Sequence, residues 1–380
     1  MNSILKSARR EVRDLRPCIH GGEVWEVMSR TGLRRDEIID FSANVNPLGP
    51  SPLALESIKN NLDCIPYYPD SDCNLLREAI AKYLGGISRE NVILGNGSTE
   101  IIHLFAEVFI ERGDSALIPV PTFGEYEKAV RKMGGKPRYI RLSRNFHIDL
   151  ESFLNEMEGA KIIFLCNPNN PTSTLILYDS LLKIVEKAYE EEALVFLDES
   201  FIEFVDEKKR FSMVREVEKY PNLFVLRSFT KVFGLAGLRV GYGVAHSEVA
   251  SLLLRAKVPW NVNCLAQAAA IAALNDDEYL RRTWRLIKDE KAFLLRELRR
   301  IRGFKVFPAQ ANFILINIRD SGFTAAELKE RLLKYGILIR DCSSFRGLDE
   351  YYIRVAVRTR WENEKFIKSL RDILNSRGNG

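Results

Sequence analysis

The 380-residue sequence predicts an α/β fold in which a large domain on a mainly parallel sheet is followed by a smaller α+β domain. Two observations carry this prediction. Between about residues 75 and 260, stretches of helical periodicity alternate with apolar runs too short to be helices. That order is produced by βα units whose strands lie side by side in a parallel sheet covered by helices on both faces. After a long charged amphipathic helix at 275–301, the order changes to strand, helix, strand, strand, helix, which a second α+β unit explains.

Residues 1–44 read as an N-terminal arm that belongs to the small domain. The arm is charged and helical in pattern, broken at His20-Gly21-Gly22, and ends on the apolar run 38–41. Residues 42–52 form a turn-rich connector, because their prolines and glycine exclude regular structure. The large domain spans 45–265. Helices are expected there at 75–84, 99–111, 125–133 and 179–191, and strands at 92–94, 115–118, 161–166, 194–197 and 223–226. The small domain spans 266–380, with the helix at 275–301, a strand at 311–316, a helix at 324–335, strands at 337–340 and 352–357, and a closing helix at 361–375. In a parallel α/β sheet, reactive side chains collect in loops beyond the carboxyl ends of the strands.

Composition narrows the partners. A hydrophobic fraction of 46% with 28% charged residues suits a globular protein with a sizeable core. The formal net charge of +5 is small and dispersed, which argues against nucleic acid or an anionic membrane as partner. No apolar stretch approaches a bilayer span, and the N-terminus lacks the apolar core of a secretory signal. The six cysteines are scattered without C-x-x-C spacing, and there are four histidines. This pattern argues against disulfide staples and structural zinc and fits a reducing cytoplasm.

Lys231 is the most informative residue. It follows the run 223–226 and is succeeded by small residues, in Ser228-Phe-Thr-Lys231-Val-Phe-Gly-Leu-Ala-Gly-Leu-Arg239. A lysine at the mouth of a buried strand can reach a carbonyl carbon and form a Schiff base. Ser228 and Arg239 can share one phosphate dianion, the serine through its hydroxyl and the arginine through a bidentate pair. Lysine and phosphate site together suit pyridoxal phosphate, which carries an aldehyde and a phosphate. Asp198 closes another apolar run, where a carboxylate can hold a protonated pyridine nitrogen. Asn170 lies in Cys166-Asn-Pro-Asn-Asn170-Pro171-Thr172, a loop fixed by two prolines, and can donate to a phenolic oxygen. Gly95-Asn-Gly97-Ser98-Thr99 joins a strand to a helix whose free N–H groups favour an anion. Phe123, after the 116–120 run, can stack on an aromatic ring. Each feature alone has an ordinary reading: a solvated lysine, a helix cap, an Asn-Pro turn, a core aromatic.

Together, and in this order, they resemble the fold type I pyridoxal phosphate enzymes, the aspartate aminotransferase superfamily, over nearly the whole chain. The resemblance implies a mainly parallel seven-stranded sheet in the large domain, pyridoxal 5'-phosphate as cofactor and a homodimer. It implies that Lys231 is the Schiff-base lysine, Asp198 the pyridinium partner and Asn170 the ligand of the phenolic oxygen. Ser98, Thr99, Ser228 and Arg239 then resemble the phosphate cup, and Phe123 the stacking ring. Tyr68 resembles the tyrosine that reaches the phosphate of the neighbouring subunit, and Arg354 the arginine that clamps the substrate α-carboxylate.

Within the superfamily, Asn44-x-Asn46-Pro-Leu-Gly49 and Tyr68-Pro-Asp70 resemble the histidinol-phosphate aminotransferases. Four details resemble their relatives, the L-threonine-O-3-phosphate decarboxylases of cobalamin biosynthesis. These are His20-Gly21-Gly22 in the arm, Phe201 where aminotransferases usually carry a tyrosine, the run from Arg340 to Asp349, and Val357-Arg358-Thr359-Arg360. The implied reaction converts L-threonine O-3-phosphate to (R)-1-amino-2-propanol O-2-phosphate and CO2; the alternative is the aminotransferase, and a further one is a non-catalytic cofactor-binding protein. Either enzyme takes a small phosphorylated substrate, with Arg340, His20 and the Gly21-Gly22 amides at its phosphate and Asn44 and Arg354 also at the substrate. Ser173 departs from the family, whose loop carries glycine there, and a side chain at that position can tilt the loop bearing Asn170.

Overall fold

The computed structural model describes residues 3–376. Its strands are β1 (Ile39–Asp40), β2 (Val92–Gly95), β3 (Ser115–Val120), β4 (Lys136–Arg141), β5 (Ile162–Cys166), β6 (Leu194–Asp198) and β7 (Leu223–Ser228). They continue as β8 (Gly241–Ala245), β9 (Lys305–Val306), β10 (Phe313–Asn317), β11 (Ile337–Leu338), β12 (Arg340–Asp341) and β13 (Tyr352–Ala356). Seven of these form one sheet in the order β2-β8-β7-β6-β5-β3-β4. All its neighbours are parallel except β8, which runs antiparallel to both β2 and β7.

The central strands are apolar throughout because both faces are covered. Successive residues point to opposite faces, so Ile163, Leu165, Val195 and Leu197 pack against the helix Tyr178–Glu190 on one side. On the other side Ile162, Phe164, Phe196 and Phe224 meet the helices Ser98–Phe109 and Glu125–Lys132. Phe196 touches Phe105, Phe164 and Phe224 with ring centroids 4.9–5.2 Å apart. Truncating it to alanine would cost about 3–5 kcal/mol, the usual loss for a buried aromatic.

A four-stranded antiparallel sheet, β12-β13-β10-β9, carries the C-terminal part of the chain, backed by the helices Asp277–Arg299 and Arg360–Asn375. The long helix is capped by Asp276, whose side chain accepts from the Tyr279 N–H, and the last by a Thr359/Glu362 capping box. The expected single strand at 337–340 is two short pieces. Residues 337–338 pair in parallel with β1, and residues 340–341 pair antiparallel with β13. The break aims the Arg340 end of the segment at the second sheet, while β1 ties the arm to it. No described helix is long and apolar enough to cross a membrane.

Candidate active site

The carboxyl ends of β5, β6 and β7 lie side by side, with Cys166 opposite Asp198 and Asp198 opposite Leu226. These strand ends and the loops beyond them bring Asn170, Asp198, Ser228 and Lys231 into one region. A cavity of about 1100 Å³ opens there, lined by Thr99, Phe123, Asn170, Lys231, Arg239, Arg340 and Arg354 together with Phe201, Asn44 and arm residues 14–21.

Lys231 is half-buried, with Nζ 5.3 Å above the Phe201 ring and no ion-pair partner among the described residues. Burial lowers its pKa to about 8, helped by the charges of Arg354 and Arg239 and opposed by Asp198. Asp198 is buried; its Oδ2 accepts from the Tyr126 hydroxyl at 2.7 Å and its Oδ1 from the Ser200 N–H at 2.8 Å. Burial pushes its carboxyl up against the opposite pull of those hydrogen bonds.

The helix Ser98–Phe109 begins beside β7 because of strand register. Gly95 pairs with Gly241, and Gly241 pairs with Ser228. A side chain on Gly241 would place Cβ 2.6 Å from the Ser98 nitrogen, and one on Gly97 would come within 2.3 Å of Arg239 Nη2. These glycines let the free amides of the helix, Arg239 and the β7 end converge. Ser228 itself is buried, its Oγ accepting from the Thr230 N–H at 3.2 Å.

Arg354 is buried on β13. Its Nη1 donates to Asn170 Oδ1, its Nη2 donates to the Ser42 carbonyl at 2.7 Å, and its buried Nε has no partner among the described residues. Burial lowers its pKa to about 10, so it remains cationic near neutrality. Ser173 sits at φ 60°, in the left-handed region that favours glycine. Its buried hydroxyl accepts from Gln310 N at 3.0 Å and Ala311 N at 2.8 Å. The hydroxyl thus anchors the loop to residues 310–311, and Asn170 meets Arg354.

The arm covers the cavity. Arg340 donates from Nη2 to the Ile19 carbonyl at 2.7 Å and Ser344 Oγ at 2.8 Å, and from Nη1 to the His20 carbonyl at 3.2 Å. Gly22 N donates to Ser42 Oγ at 2.8 Å, and a side chain on Gly21 would bring Cβ within 2.1 Å of the Ser42 carbonyl oxygen. The His20 ring lies 5.6 Å from that of Phe123. Asn44 is buried with Oδ1 unpartnered among the described residues. Ser98, Asp198, Ser228 and Gly22 are not among the lining residues, and Tyr68 stands apart: it is 81% exposed and stacks on Trp260 at 4.6 Å.

Sequence reasoning passed over Tyr126, Ser42 and Glu125. The signal for Tyr126 was present, since it follows Phe123 by three residues at a helix start, but its partner Asp198 is 72 positions away.

The sequence profile of the class I and II aminotransferases matches residues 36–370. The chain belongs to that family. As a class I and II aminotransferase-family protein it is 37% identical to a histidinol-phosphate aminotransferase of Methanothermobacter thermautotrophicus, over 96% of this chain and 97% of that one. It is 39% identical to a provisionally named threonine-phosphate decarboxylase of Caldanaerobacter subterraneus, over 96% of both. Among solved structures, the histidinol-phosphate aminotransferase of Clostridium acetobutylicum superposes with TM-score 0.83 at 34% identity, covering 89% of this chain and all of that one. The L-threonine-O-3-phosphate decarboxylase of Porphyromonas gingivalis does so with TM-score 0.80 at 30% identity, with the same coverage. The family depends on pyridoxal phosphate, and the residues here fit that group. Lys231 lacks an ion-pair partner, the glycines at 97 and 241 leave amides bare beside Arg239, and the buried Arg354 Nε is unpaired among the described residues.

Proposed function

We propose that this family member decarboxylates L-threonine O-3-phosphate to (R)-1-amino-2-propanol O-2-phosphate and CO2, a step of cobalamin biosynthesis. The observation that carries the reading is Phe201. It is buried directly beneath Lys231 Nζ, where aminotransferases of the superfamily usually place a tyrosine hydroxyl. The Caldanaerobacter relative and the Porphyromonas structure support it.

Lys231 would hold the cofactor's aldehyde carbon, Asp198 its ring nitrogen, and Ser98, Thr99, Ser228 and Arg239 its phosphate, with Phe123 against the ring and Asn170 at the phenolic oxygen. Bound pyridoxal phosphate supplies an electron sink for the bond broken at the substrate α-carbon. Arg354, with Asn170 pinned beside it, binds the α-carboxylate, and holding that group still decides which α-carbon bond breaks. The carboxylate departs as CO2. Lys231 Nζ, which lines the cavity, or a water then delivers the replacing proton to the α-carbon. Asp198, whose hydrogen bonds from Tyr126 and Ser200 favour the carboxylate against the upward push of burial, would pair with a protonated ring nitrogen. Arg340, His20 and the Gly21 amide bind the substrate phosphoryl group, the Gly22 amide being held by Ser42 Oγ, and the arm excludes water. The active form is a homodimer in which Tyr68, exposed in one chain, serves the phosphate of its partner.

The alternative, histidinol-phosphate aminotransferase, is favoured by the Methanothermobacter relative and the Clostridium structure. Incubation of purified enzyme with O-phospho-L-threonine should release CO2 and the amino alcohol phosphate in equal amounts. Amino transfer from glutamate to imidazole-acetol phosphate, without CO2 from phosphothreonine, would replace this reading with the alternative.

A further inference from the structure

Three segments meet at the cavity mouth: arm residues 14–21, the start of the helix Glu125–Lys132, and residues 343–348. Glu125 is the buried junction of the first two, only 2% exposed. Its Oε1 lies 2.9 Å from His20 Nε2, its Oε2 lies 2.9 Å from His103 Nε2, and Lys128 Nζ lies 3.3 Å from Oε1. Burial acts to raise the Glu125 pKa, but the two histidine hydrogen bonds and the Lys128 charge overcome it and hold the carboxyl well below its usual range. An ionised carboxylate only accepts hydrogen bonds, so both imidazoles must turn a protonated Nε2 toward it.

The Cys18 thiol of the arm also bonds Glu125, whereas Arg340 and Ser42 meet the arm only at its backbone. Arg340 reads the carbonyls of Ile19 and His20, and Ser42 reads the Gly22 amide. Glu125 alone grips the His20 side chain, and the helix that carries it begins two residues after Phe123. The same first turn grips the opposite lip, because Glu127 takes a two-point ion pair from Arg346 at 2.9 and 3.0 Å.

We propose that Glu125 is a positioning residue: it fixes the His20 ring beside Phe123 and so holds the arm closed over the bound substrate. It then governs affinity for the phosphorylated amino acid and not the chemical step. The substrate half of this inference rests on the proposed phosphoamino-acid reading; the arm half does not.

The test uses the holoenzyme and two readouts. Glu125→Ala should speed amide exchange across residues 18–22 by about tenfold, the scale of one charge-assisted hydrogen bond. It should raise KM for O-phospho-L-threonine by a comparable factor while kcat and the visible absorption of bound cofactor stay near wild type. His20→Ala, at an exposed arm position, should give the same gain in exchange, and the double variant should be no worse than either single one. Unchanged arm exchange in a Glu125→Ala protein that melts normally would overturn the proposal. Should that protein not fold, unchanged exchange in His20→Ala overturns it equally, as would additive losses in the double variant. If wild-type enzyme fails to turn over phosphothreonine, the functional reading falls, and the exchange measurements still decide the role of Glu125.

Discussion

Asp198, Ser228 and Asn170 stand at or just beyond the ends of neighbouring parallel strands, whereas His20 and the residues after Arg340 belong to segments with no ladder to the seven-stranded sheet. The floor of the cavity is positioned by backbone pairing. Its cover is positioned by side chains: Glu125 on His20, Glu127 on Arg346, and Arg340 on two arm carbonyls. Backbone register is shared by a whole strand and is hard to shift one residue at a time. Side-chain latches yield to single substitutions. Floor variants should therefore damage the reaction for every substrate, and cover variants should discriminate between substrates.

The largest break in that contrast is expected at Lys231. Lys231→Ala should lower turnover by roughly 10²–10⁴-fold or more, the range for losing a positioned proton-transfer group, with phosphorylated and plain threonine equally affected. Steady-state rates and loss of the visible cofactor band check it. Next is Arg354→Lys, which keeps charge but loses the fork to Asn170 and Ser42. It should cost about tenfold to a hundredfold in kcat/KM, the equivalent of one or two charged hydrogen bonds, with cofactor loading intact. Arg340→Ala tests the cover and should cost about tenfold for phosphothreonine and little for threonine. An equal loss for both would move Arg340 to the floor.

The smallest effect concerns pH. Burial depresses the Lys231 pKa to about 8, so the attacking neutral amine forms as pH rises through 8 and is lost below it. Cofactor capture by apoprotein, followed by visible absorption, should be half-maximal near pH 8 and slow by nearly tenfold for each further unit of acidity. A midpoint near the ordinary lysine value would mean that Lys231 is solvated before the cofactor arrives.

The floor was largely legible in the sequence, because β2, β3, β5, β6 and β7 are apolar runs with chemical residues at their ends. Two strands of the sheet were not. β4, Lys-Pro-Arg-Tyr-Ile-Arg, is an edge strand with no fully buried residue and hence no apolar run. β8, Gly-Tyr-Gly-Val-Ala, is masked by glycines that packing requires, since a Cβ on Gly243 would sit 2.1 Å from the Phe224 ring. The cover was only half legible. His20-Gly21-Gly22 stood out as a motif, but Glu125 reads as an ordinary first-turn acid until the fold brings residues 20 and 103 to it.

One guanidinium has a further consequence for how the protein is made. Arg354 joins Asn170, 184 positions earlier, and Ser42, 312 positions earlier. The ribosome delivers every strand of the seven-stranded sheet by Ala245, more than a hundred residues before that arginine is synthesised. Domains generally fold as units during synthesis, the amino-terminal parts first. The nascent chain can thus assemble the bed around Lys231 and Asp198 while the arginine proposed to hold the substrate carboxylate is still untranslated.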